Sequence, residues 1–417
     1  DGTDTCCMLS ICAIAVARPS AITSLPSLSH AEIRRYSRHL ILDDVGVEGQ
    51  RRLKAARVLC VGSGGLGSPA LVYLAAAGVG TLGVVDNDVV DESNLQRQII
   101  HATDAVGSPK VDSAAQRVGD LNPLVKLVKH EELLTAENAL RILGEYDIVV
   151  DGSDNFPTRY LVNDACVLLG LPLVYGAVQK FEGQLSLFNL RLPDGSRGPN
   201  YRDLFPEPPP PGAVPSCAEG GVLGVLPGVI GTMQATEAIK LAIGVGERAP
   251  RDTLSGRLIL YNAMSFRFHE VALKPRPNAA PIRELIDYTG FCGQAAAEEA
   301  QAAARAAERF ARITPQEANE RMQGGWEPFV LDVRTAREAE VVSLPRVDAQ
   351  QPHRQMAGIV ETLPRERDIL VHCKAGVRSA AACESLVELG LEPARLYSLE
   401  GGIVRWAKDV DPSLPLY

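Results

Sequence analysis

The chain has 417 residues, of which 46% are hydrophobic and 22% are charged. This composition excludes a wholly disordered chain, a collagen and a small disulfide scaffold, and the length predicts more than one domain. The 42 basic and 51 acidic side chains give a net charge of −9. That balance argues against a general nucleic-acid-binding protein, which would carry a basic surface.

The N-terminal region and the cysteines indicate the cellular compartment of the protein. Nine cysteines, an odd number without dense spacing, predict reduced thiols and a cytoplasmic protein. We predict a disordered leader at residues 1–28, because the short apolar run at 6–17 is preceded by Asp1 and Asp4 and not by the cations of a secretory signal. Residues 58–85 carry no charge, but their seven glycines break a continuous membrane helix. No membrane association is predicted.

The pattern of elements predicts the fold of the larger domain. Ser29 and Glu32 have the spacing of a helix capping box, so ordered structure is expected to begin there. From residue 57 to residue 178, short aliphatic runs alternate with helical patterns, which is typical of a mainly parallel sheet covered on both faces. Residues 182–190 and 256–273 alternate with a period of two and predict antiparallel strands added at one side. The predicted fold class is therefore α/β, with a Rossmann-like mixed sheet.

Three further segments complete the predicted organisation. Residues 194–215 are rich in proline and glycine and predict an extended crossover. The interdomain linker is predicted at 276–312, because residues 294–310 contain nine alanines but no Leu, Ile or Val. Residues 313–417 predict a second, smaller α/β domain. Its predicted strands are Pro328–Val333 and Asp368–His372.

A glycine-rich turn predicts a nucleotide site. Gly62, Gly64, Gly65 and Gly67 lie between a predicted strand and a predicted helix, where backbone amides can approach a phosphate. Asp86 ends the next strand and can accept hydrogen bonds from ribose hydroxyls. The alternative, a glycine turn that serves only close packing of helix and strand, gives no role to Asp86.

Cations near this turn favour ATP over a nicotinamide. Ser93, Asn94 and Arg97 belong to the run SNLQRQ, which offers a guanidinium shortly after the ribose-binding acid. Lys110 falls in the first turn of a helix preceded by proline. A cation is unfavourable there by about 0.3–1 kcal/mol, so an anion is expected nearby.

A polar loop at the end of another strand predicts a metal ligand. Asp154 and Asn155 belong to the run DGSDN, at the strand edge where open α/β sheets bind ligands. Asp154 is the predicted Mg²⁺ ligand, and Asn155 is assigned to the cofactor site. The sequence contains no GxxxxGK[ST] motif, so P-loop chemistry is not supported.

These motifs together resemble those of the ThiF/MoeB family of adenylyltransferases, relatives of ubiquitin-activating enzymes. Eight motifs follow one another in family order over residues 29–275, the predicted first domain: RYSRH, GSGGLG, YLAAAGVG, DND, SNLQRQ, DGSDN, EGQ and SCAEGG. The resemblance implies adenylation of the C-terminal glycine of a ubiquitin-like sulfur carrier, with ATP and Mg²⁺. It also implies a homodimer in which Arg38 reaches the partner subunit's nucleotide. Because both reactants are anionic, Arg38, Arg97, Lys110 and Mg²⁺ would compensate the charge of the transition state.

The resemblance also bears on Cys217 and on zinc. From the residues alone Cys217 fits a small buried side chain, whereas the resemblance implies a crossover-loop cysteine used in covalent steps with the carrier. Many members hold zinc with two CxxC pairs. Asn200 and Asp203 stand at the positions of the first pair, and residues 275–281 contain no cysteine. No structural zinc is therefore predicted.

A second loop predicts a sulfur nucleophile. Cys373 lies between a predicted strand and a predicted helix, so loop amides and the helix dipole can stabilise a thiolate or a persulfide. Residues 313–417 resemble the rhodanese sulfurtransferases, supported by LDVR at 331–334, EGG at 400–402 and Trp406. Cysteine phosphatases are the rival, but their loops place five residues between Cys and Arg, and this chain has four. The predicted persulfide loop consists of Cys373, Lys374, Ala375, Gly376, Val377 and Arg378.

Together the two sites predict an enzyme that activates a carrier carboxylate and then transfers sulfur to it from Cys373. The sulfur donor is left as thiosulfate or a cysteine desulfurase. The pathway is left as molybdopterin, thiamine, cysteine or tRNA thiolation. Two alternatives remain: a non-catalytic carrier-binding scaffold, and a nicotinamide-dependent oxidoreductase, which gives no use for Arg97, Lys110 or Cys373.

Overall fold

The computed structural model describes residues 25–209, 221–292 and 309–415. The chain divides into two compact units, Asp1–Gly293 and Gln294–Tyr417. Within the described residues, no helix is both long and apolar enough to cross a bilayer. The uncharged stretch at 58–85 forms a strand, a helix and a second strand, as predicted.

An eight-stranded mixed sheet is the framework of the first unit. The strand order is β3-β2-β1-β4-β5-β6-β7-β8; strands β1 to β5 are parallel, and β6 to β8 are antiparallel additions on one side. This confirms the predicted mixed sheet. The strands are β1 (Arg57–Val61), β2 (Thr81–Val85), β3 (Lys126–His130), β4 (Ile148–Asp151), β5 (Leu173–Gln179), β6 (Glu182–Phe188), β7 (Arg257–Asn262) and β8 (Arg267–Ala272).

Helices cover both faces of this sheet. Alternate side chains of β1 enter different cores, because successive residues of a strand point to opposite faces. Val58 and Cys60 pack in one buried cluster, and Leu59 and Val61 in the other. The helices are α1 (His30–Arg35), α2 (Ser37–Leu40), α3 (Gly46–Ala55), α4 (Gly67–Ala77), α5 (Lys110–Leu121), α6 (Ala139–Leu143), α7 (Phe156–Leu169), α8 (Tyr201–Leu204), α9 (Val225–Ala242) and α10 (Val245–Arg248).

Helix α1 begins with the predicted capping box. The Ser29 N–H donates to Glu32 Oε2 at 2.6 Å, and the Glu32 N–H donates to Ser29 Oγ at 3.2 Å. Two donors at the helix start are thereby satisfied, which is typically worth about 1 kcal/mol.

The predicted crossover at 194–215 is not extended throughout. It contains the short helix α8, which begins at the N-cap Asn200. The rest of this prediction, from residue 210 onward, lies outside the described residues.

The second unit is built on a five-stranded parallel sheet with the order β11-β10-β12-β13-β9. Its strands are β9 (Ala311–Ile313), β10 (Phe329–Asp332), β11 (Ala349–Gln350), β12 (Ile369–His372) and β13 (Leu396–Leu399). Its helices are α11 (Pro315–Gln323), α12 (Ala336–Val341), α13 (Val377–Glu388) and α14 (Gly402–Asp409).

Both ends of the predicted linker at 276–312 belong to ordered elements. Tyr288 is 5% exposed, and its hydroxyl donates to Asp164 Oδ2 at 2.7 Å, so it packs within the first unit. At the other end, Ala311–Ile313 forms β9 and pairs with β13. The composition of 294–310 indicated a spacer, but tertiary contacts decide where it begins and ends.

Candidate functional sites

The glycine turn joins β1 to α4 and brings backbone against backbone. Gly62 has a φ of +87°, a left-handed conformation that favours glycine. A Cβ at Gly67 would lie 1.9 Å from the Gly62 carbonyl oxygen. Gly67 therefore permits the close approach of the turn and the helix. It does not line the cavity described below, whereas Gly62, Gly64 and Gly65 do.

Asp86 follows β2 and holds this turn in place. Its Oδ2 accepts hydrogen bonds from the N–H and the Oγ of Ser63, at 2.8 and 2.9 Å. Its Oδ1 accepts from the Asp88 N–H at 3.0 Å. A carboxylate has about four acceptor positions, so one remains for a ribose hydroxyl.

An anion was expected near Lys110, because a cation at the start of a helix is unfavourable. In the structure this anion is Asp88. Its Nζ lies 2.9 Å from Asp88 Oδ2, and its side chain is 7% exposed. The backbone brings the pair together, because the Lys110 N–H donates to the Asp88 carbonyl oxygen at 2.9 Å. We expected the phosphates of ATP to be this anion; the protein supplies a carboxylate of its own.

The other predicted cations lie in different surroundings. Arg97 lines the cavity, and its Nη1 donates to the Ser93 carbonyl oxygen at 3.1 Å. Ser93 and Asn94 form the 3-10 turn that carries Arg97 but do not line the cavity. Arg38 is exposed on α2 and is not part of the lining either.

The loop after β4 presents Asp154 on a well-ordered base. Asp151 is buried, and its Oδ1 accepts from the N–H and the Oγ of Ser153, at 2.9 and 2.6 Å. Burial raises the pKa of Asp151. Asn155 caps α7, because its Oδ1 accepts from the Thr158 N–H at 2.9 Å. Asp154 is exposed and forms no hydrogen bond or ion pair with another described residue.

These groups meet in one cavity of about 390 Å³ at the carboxyl edge of the sheet. Eight predicted site residues line it: Gly62, Gly64, Gly65, Asp86, Arg97, Lys110, Asp154 and Asn155. Several other residues line the cavity without a predicted role: Asn87, Asp88, Gln98, Glu132, Thr158, Arg159, Val178, Val222 and Pro227. Thr158 and Arg159 had a sequence signal, because they follow the N-cap Asn155 by three and four residues and so lie in the first turn of α7.

Asn200 and Asp203, at the positions where the resemblance implies a CxxC pair, form a hydrogen-bonded link in this chain. Asp203 Oδ2 accepts from the Asn200 N–H at 2.8 Å, and its Oδ1 accepts from the Arg276 N–H at 2.7 Å. The carboxylate thus connects α8 to the segment after β8. No group of three or more potential metal ligands occurs among residues 25–209, 221–292 and 309–415. Cys217 lies outside these ranges.

Cys373 follows β12 in the second unit and opens the predicted persulfide loop. The Gly376 N–H donates to its Sγ at 3.1 Å, and Ser379 Oγ lies 3.7 Å from the Sγ. Gly376 has a φ of +91°, which turns the loop into α13. Ala375 and Val377 are exposed at the rim of the loop. This arrangement can hold sulfur on Cys373 under a backbone donor.

The glycines of the EGG motif allow α14 to close against this loop. The Ile403 N–H donates to the Cys373 carbonyl oxygen at 2.9 Å, and the Val404 N–H donates to that of Lys374 at 3.2 Å. A Cβ at Gly402 would lie 2.3 Å from the Cys373 carbonyl oxygen. A larger residue there would displace the loop.

The last residue of the loop, Arg378, is fixed by a carboxylate from α12. Glu338 accepts from both Arg378 terminal nitrogens, at 2.7 and 3.0 Å, and also from the Thr335 N–H at 3.0 Å. Burial raises the pKa of Glu338, but the Arg378 bond and the Thr335 bonds outweigh burial and lower it to about 2. Glu338 therefore ties the N-terminus of α12 to the Cys373 loop.

Glu338→Gln is expected to remove an acid-dependent part of the stability of the second unit. The folded pKa of Glu338 lies below the ordinary 4.5, so its stabilisation is complete above pH 4.5 and is lost as the pH falls towards 2. Its size is on the order of 2 kcal/mol. Denaturant unfolding of the full chain between pH 7 and pH 2.5 checks this by tryptophan fluorescence, because both tryptophans, Trp326 and Trp406, lie in the second unit.

Glutamine is the informative replacement because it also serves in a capping box, so the helix cap survives while the charge is lost. The matched control is Glu392→Gln, which breaks an exposed pair with Arg395. The control should retain the wild-type pH dependence. If Glu338→Gln also retains it, the ion pair does not stabilise the unit.

Several other buried groups near the two sites are structural. Burial lowers the pKa of His372 to about 4, so its ring is neutral near pH 7. Burial raises the pKa of Cys60 to about 12, and it also raises the pKa values of Cys166 and Cys383. These three thiols are not available as nucleophiles.

Two family models match the chain. The ThiF family matches residues 36–281, and the rhodanese-like domain matches residues 314–409. Among solved structures, that of Escherichia coli MccB with MccA-N7isoASN has a TM-score of 0.52 and 20% identity, and the match covers 63% of this chain and 74% of that one. At this identity the likeness concerns the fold of the first unit.

Two relatives match over nearly the whole chain, and a third matches over 63% of it. A probable adenylyltransferase/sulfurtransferase MoeZ of Mycobacterium tuberculosis is 47% identical over 402 residues, covering 96% of this chain and 99% of that protein. Adenylyltransferase and sulfurtransferase MOCS3 of Aedes aegypti is 39% identical, covering 94% and 90%. A sulfur carrier protein adenylyltransferase of Thermus thermophilus is 53% identical over 269 residues, covering 63% and 97%. The chain belongs to the ThiF family and carries a C-terminal rhodanese-like domain, and it is an adenylyltransferase and sulfurtransferase.

Proposed function

We propose that this enzyme adenylates the C-terminal glycine of a ubiquitin-like sulfur carrier and replaces an oxygen of that carboxylate with sulfur from a Cys373 persulfide. The observation that carries the proposal is the cavity at the carboxyl edge of the first sheet. This cavity is lined by the glycine turn, Asp86, the cations Arg97 and Lys110, and the exposed carboxylate of Asp154. The name of the Thermus relative agrees with the first half-reaction, and the names of the Mycobacterium and Aedes relatives agree with both.

In the first half-reaction the carrier carboxylate attacks the α-phosphorus of ATP, and pyrophosphate leaves. Gly62, Gly64 and Gly65 would approach the phosphates with their backbone, and Asp86 would hold the ribose. Arg97 and Lys110 would compensate the charge that builds up between the two anions. The Lys110 ammonium group has three N–H donors, so it can bind a phosphate while it remains paired with Asp88.

Mg²⁺ fits the residues present. Asp154 offers an exposed carboxylate at the cavity, without a competing partner in the described ranges. Mg²⁺ in nucleotide sites is commonly bound through one or two carboxylates and the substrate phosphates, so a cluster of protein ligands is not required. When bound, the metal would neutralise phosphate charge. Asp154 would hold the metal, and Asn155 would contribute to the cofactor site.

In the second half-reaction Cys373 carries a sulfane sulfur. Its terminal sulfur attacks the carrier carbonyl carbon, AMP leaves, and an acyl disulfide joins the carrier to Cys373. A second thiol then attacks the Cys373 sulfur, which releases the carrier thiocarboxylate and leaves a disulfide between the second thiol and Cys373. An external thiol can serve as this second thiol, and a further equivalent would reopen the disulfide; Cys217 stays the proposed cysteine for covalent steps with the carrier.

The working unit is proposed to be a cytoplasmic homodimer in which Arg38 serves the partner subunit's nucleotide. Ile41, Leu42 and Val47, close to Arg38 in the sequence, are 72%, 52% and 58% exposed, as expected for a surface covered by a second copy. The sulfur donor would be thiosulfate or a cysteine desulfurase. Free cysteines agree with a reducing compartment: Cys60, Cys166, Cys292, Cys373 and Cys383.

Intact-mass spectrometry tests the proposal. The full chain is incubated with ATP, Mg²⁺, thiosulfate and a recombinant carrier that ends in Gly-Gly. The expected product is a carrier with one oxygen replaced by sulfur, formed only when ATP is present. A carrier that binds without pyrophosphate release would identify a scaffold, and no binding of carrier or ATP would overturn the proposal.

A further inference from the structure

Arg159 lines the cavity but has no role in the proposed binding of ATP. It lies in the first turn of α7, and its side chain lines the cavity together with Asp154 and the glycine turn. Its Nη2 donates to the Ser153 carbonyl oxygen at 3.2 Å. Its Nε is buried and has no hydrogen-bond partner among the described residues.

A guanidinium so placed is a receptor for an anion. It has five N–H donors, and the described part of the chain satisfies one of them. No carboxylate of the described residues lies within 4.0 Å of its nitrogens, although Asp151 and Asp154 contribute negative potential. Leaving a buried charged donor without a partner is costly, which favours a ligand that completes its bonding. The ring of Phe156, 5.6 Å from the guanidinium carbon, restricts its movement.

The order of strands separates Arg159 from the other two cations. Asp86, Arg97 and Lys110 follow β2, and the glycine turn follows β1, so these groups lie on the ribose and phosphate side. Arg159 follows β4, one strand further towards the antiparallel half. On that side the lining includes two apolar residues, Val178 near the end of β5 and Val222, which forms a β-bridge with Lys180.

The reaction brings two anions into this cavity, the triphosphate and the carrier carboxylate. We infer that Arg159 binds the C-terminal carboxylate of the carrier and holds it for attack on the α-phosphorus. The apolar residues beside it suit a peptide tail without charged side chains. This inference rests on the proposed adenylation, and it assigns the part of the same site that binds the carrier.

The test replaces Arg159 in the full chain with glutamine, which keeps hydrogen-bond donors but removes the charge. In ATP–pyrophosphate exchange, the KM for a recombinant carrier ending in Gly-Gly should rise about tenfold to a hundredfold, as expected for a lost hydrogen bond to a charged group. The Kd for an ATP analogue, measured by calorimetry with Mg²⁺ and no carrier, should stay within about twofold of wild type. Arg117→Gln, an exposed change on α5, is the matched control.

A second probe isolates the carboxylate. The same carrier with its terminal carboxylate converted to the amide should bind wild type more weakly than the free acid does. In Arg159→Gln the two carriers should bind with similar affinity. If Arg159→Gln does not fold, Arg159→Lys replaces it and should show a smaller loss of the same preference. A rise in the Kd of the ATP analogue with an unchanged carrier KM would overturn the inference and assign Arg159 to the phosphates. Wild-type protein without any carrier-dependent exchange would overturn the proposed function instead.

Discussion

Cys373→Ser is expected to abolish formation of the carrier thiocarboxylate, by more than about 1,000-fold, while carrier-dependent ATP–pyrophosphate exchange continues at the wild-type rate. A hydroxyl cannot hold a sulfane sulfur, so no persulfide is available to attack the acyl-adenylate. The residues proposed for adenylation lie in the first compact unit and Cys373 lies in the second, and serine is close in size to cysteine. Exchange and intact carrier mass, followed in the same reaction mixture, measure the two outcomes.

Cys292→Ser is the matched control for this experiment. It makes the same atomic change at a partly buried thiol of the first unit, and burial raises the pKa of Cys292 to about 11. Thiocarboxylate formation should persist in this variant. Thiocarboxylate production by Cys373→Ser would show that sulfur reaches the carrier by another route. Loss of exchange in that variant would contradict the proposal that adenylation does not need Cys373.

The parts of the first site that could be predicted from the sequence depend on strand ends. The turn at Gly62, Asp86 and the loop at Asp154 each follow a strand, and parallel strands place their carboxyl ends at one edge. Their convergence therefore requires only the correct strand pattern. Lys110 also gave a local signal, a cation at a helix start, but the signal did not identify the anion as Asp88.

The parts that could not be predicted depend on side chains brought together across the fold. Glu338 and Arg378 are 40 residues apart, and their pairing needs the mutual position of α12 and α13. The place of Arg159 in the first turn of α7 had a local signal, four residues after Asn155, but its bonding did not. Its missing partners are visible only once every neighbouring donor and acceptor is known.

Asp154→Ala is expected to reduce carrier-dependent ATP–pyrophosphate exchange on the order of 1,000-fold, because a metal that neutralises phosphate charge contributes several kcal/mol and each 1.36 kcal/mol is tenfold in rate. Removal of this exposed carboxylate should leave the fold intact. Asp104→Ala, another exposed acid of the first unit, is the control and should retain exchange.

The sign of the effect on ATP binding separates a metal ligand from a structural residue. With Mg²⁺ present, loss of a ligand should raise the Kd for ATP in Asp154→Ala. With Mg²⁺ removed by a chelator, the same variant should bind ATP as tightly as wild type or more tightly, because the carboxylate then only repels the triphosphate. Calorimetry should therefore give the lower Kd for ATP to wild type with Mg²⁺, and an equal or lower Kd to Asp154→Ala without Mg²⁺. Equal weakening with and without Mg²⁺ would mean that Asp154 orders the loop at 151–155, and the metal would then need another ligand.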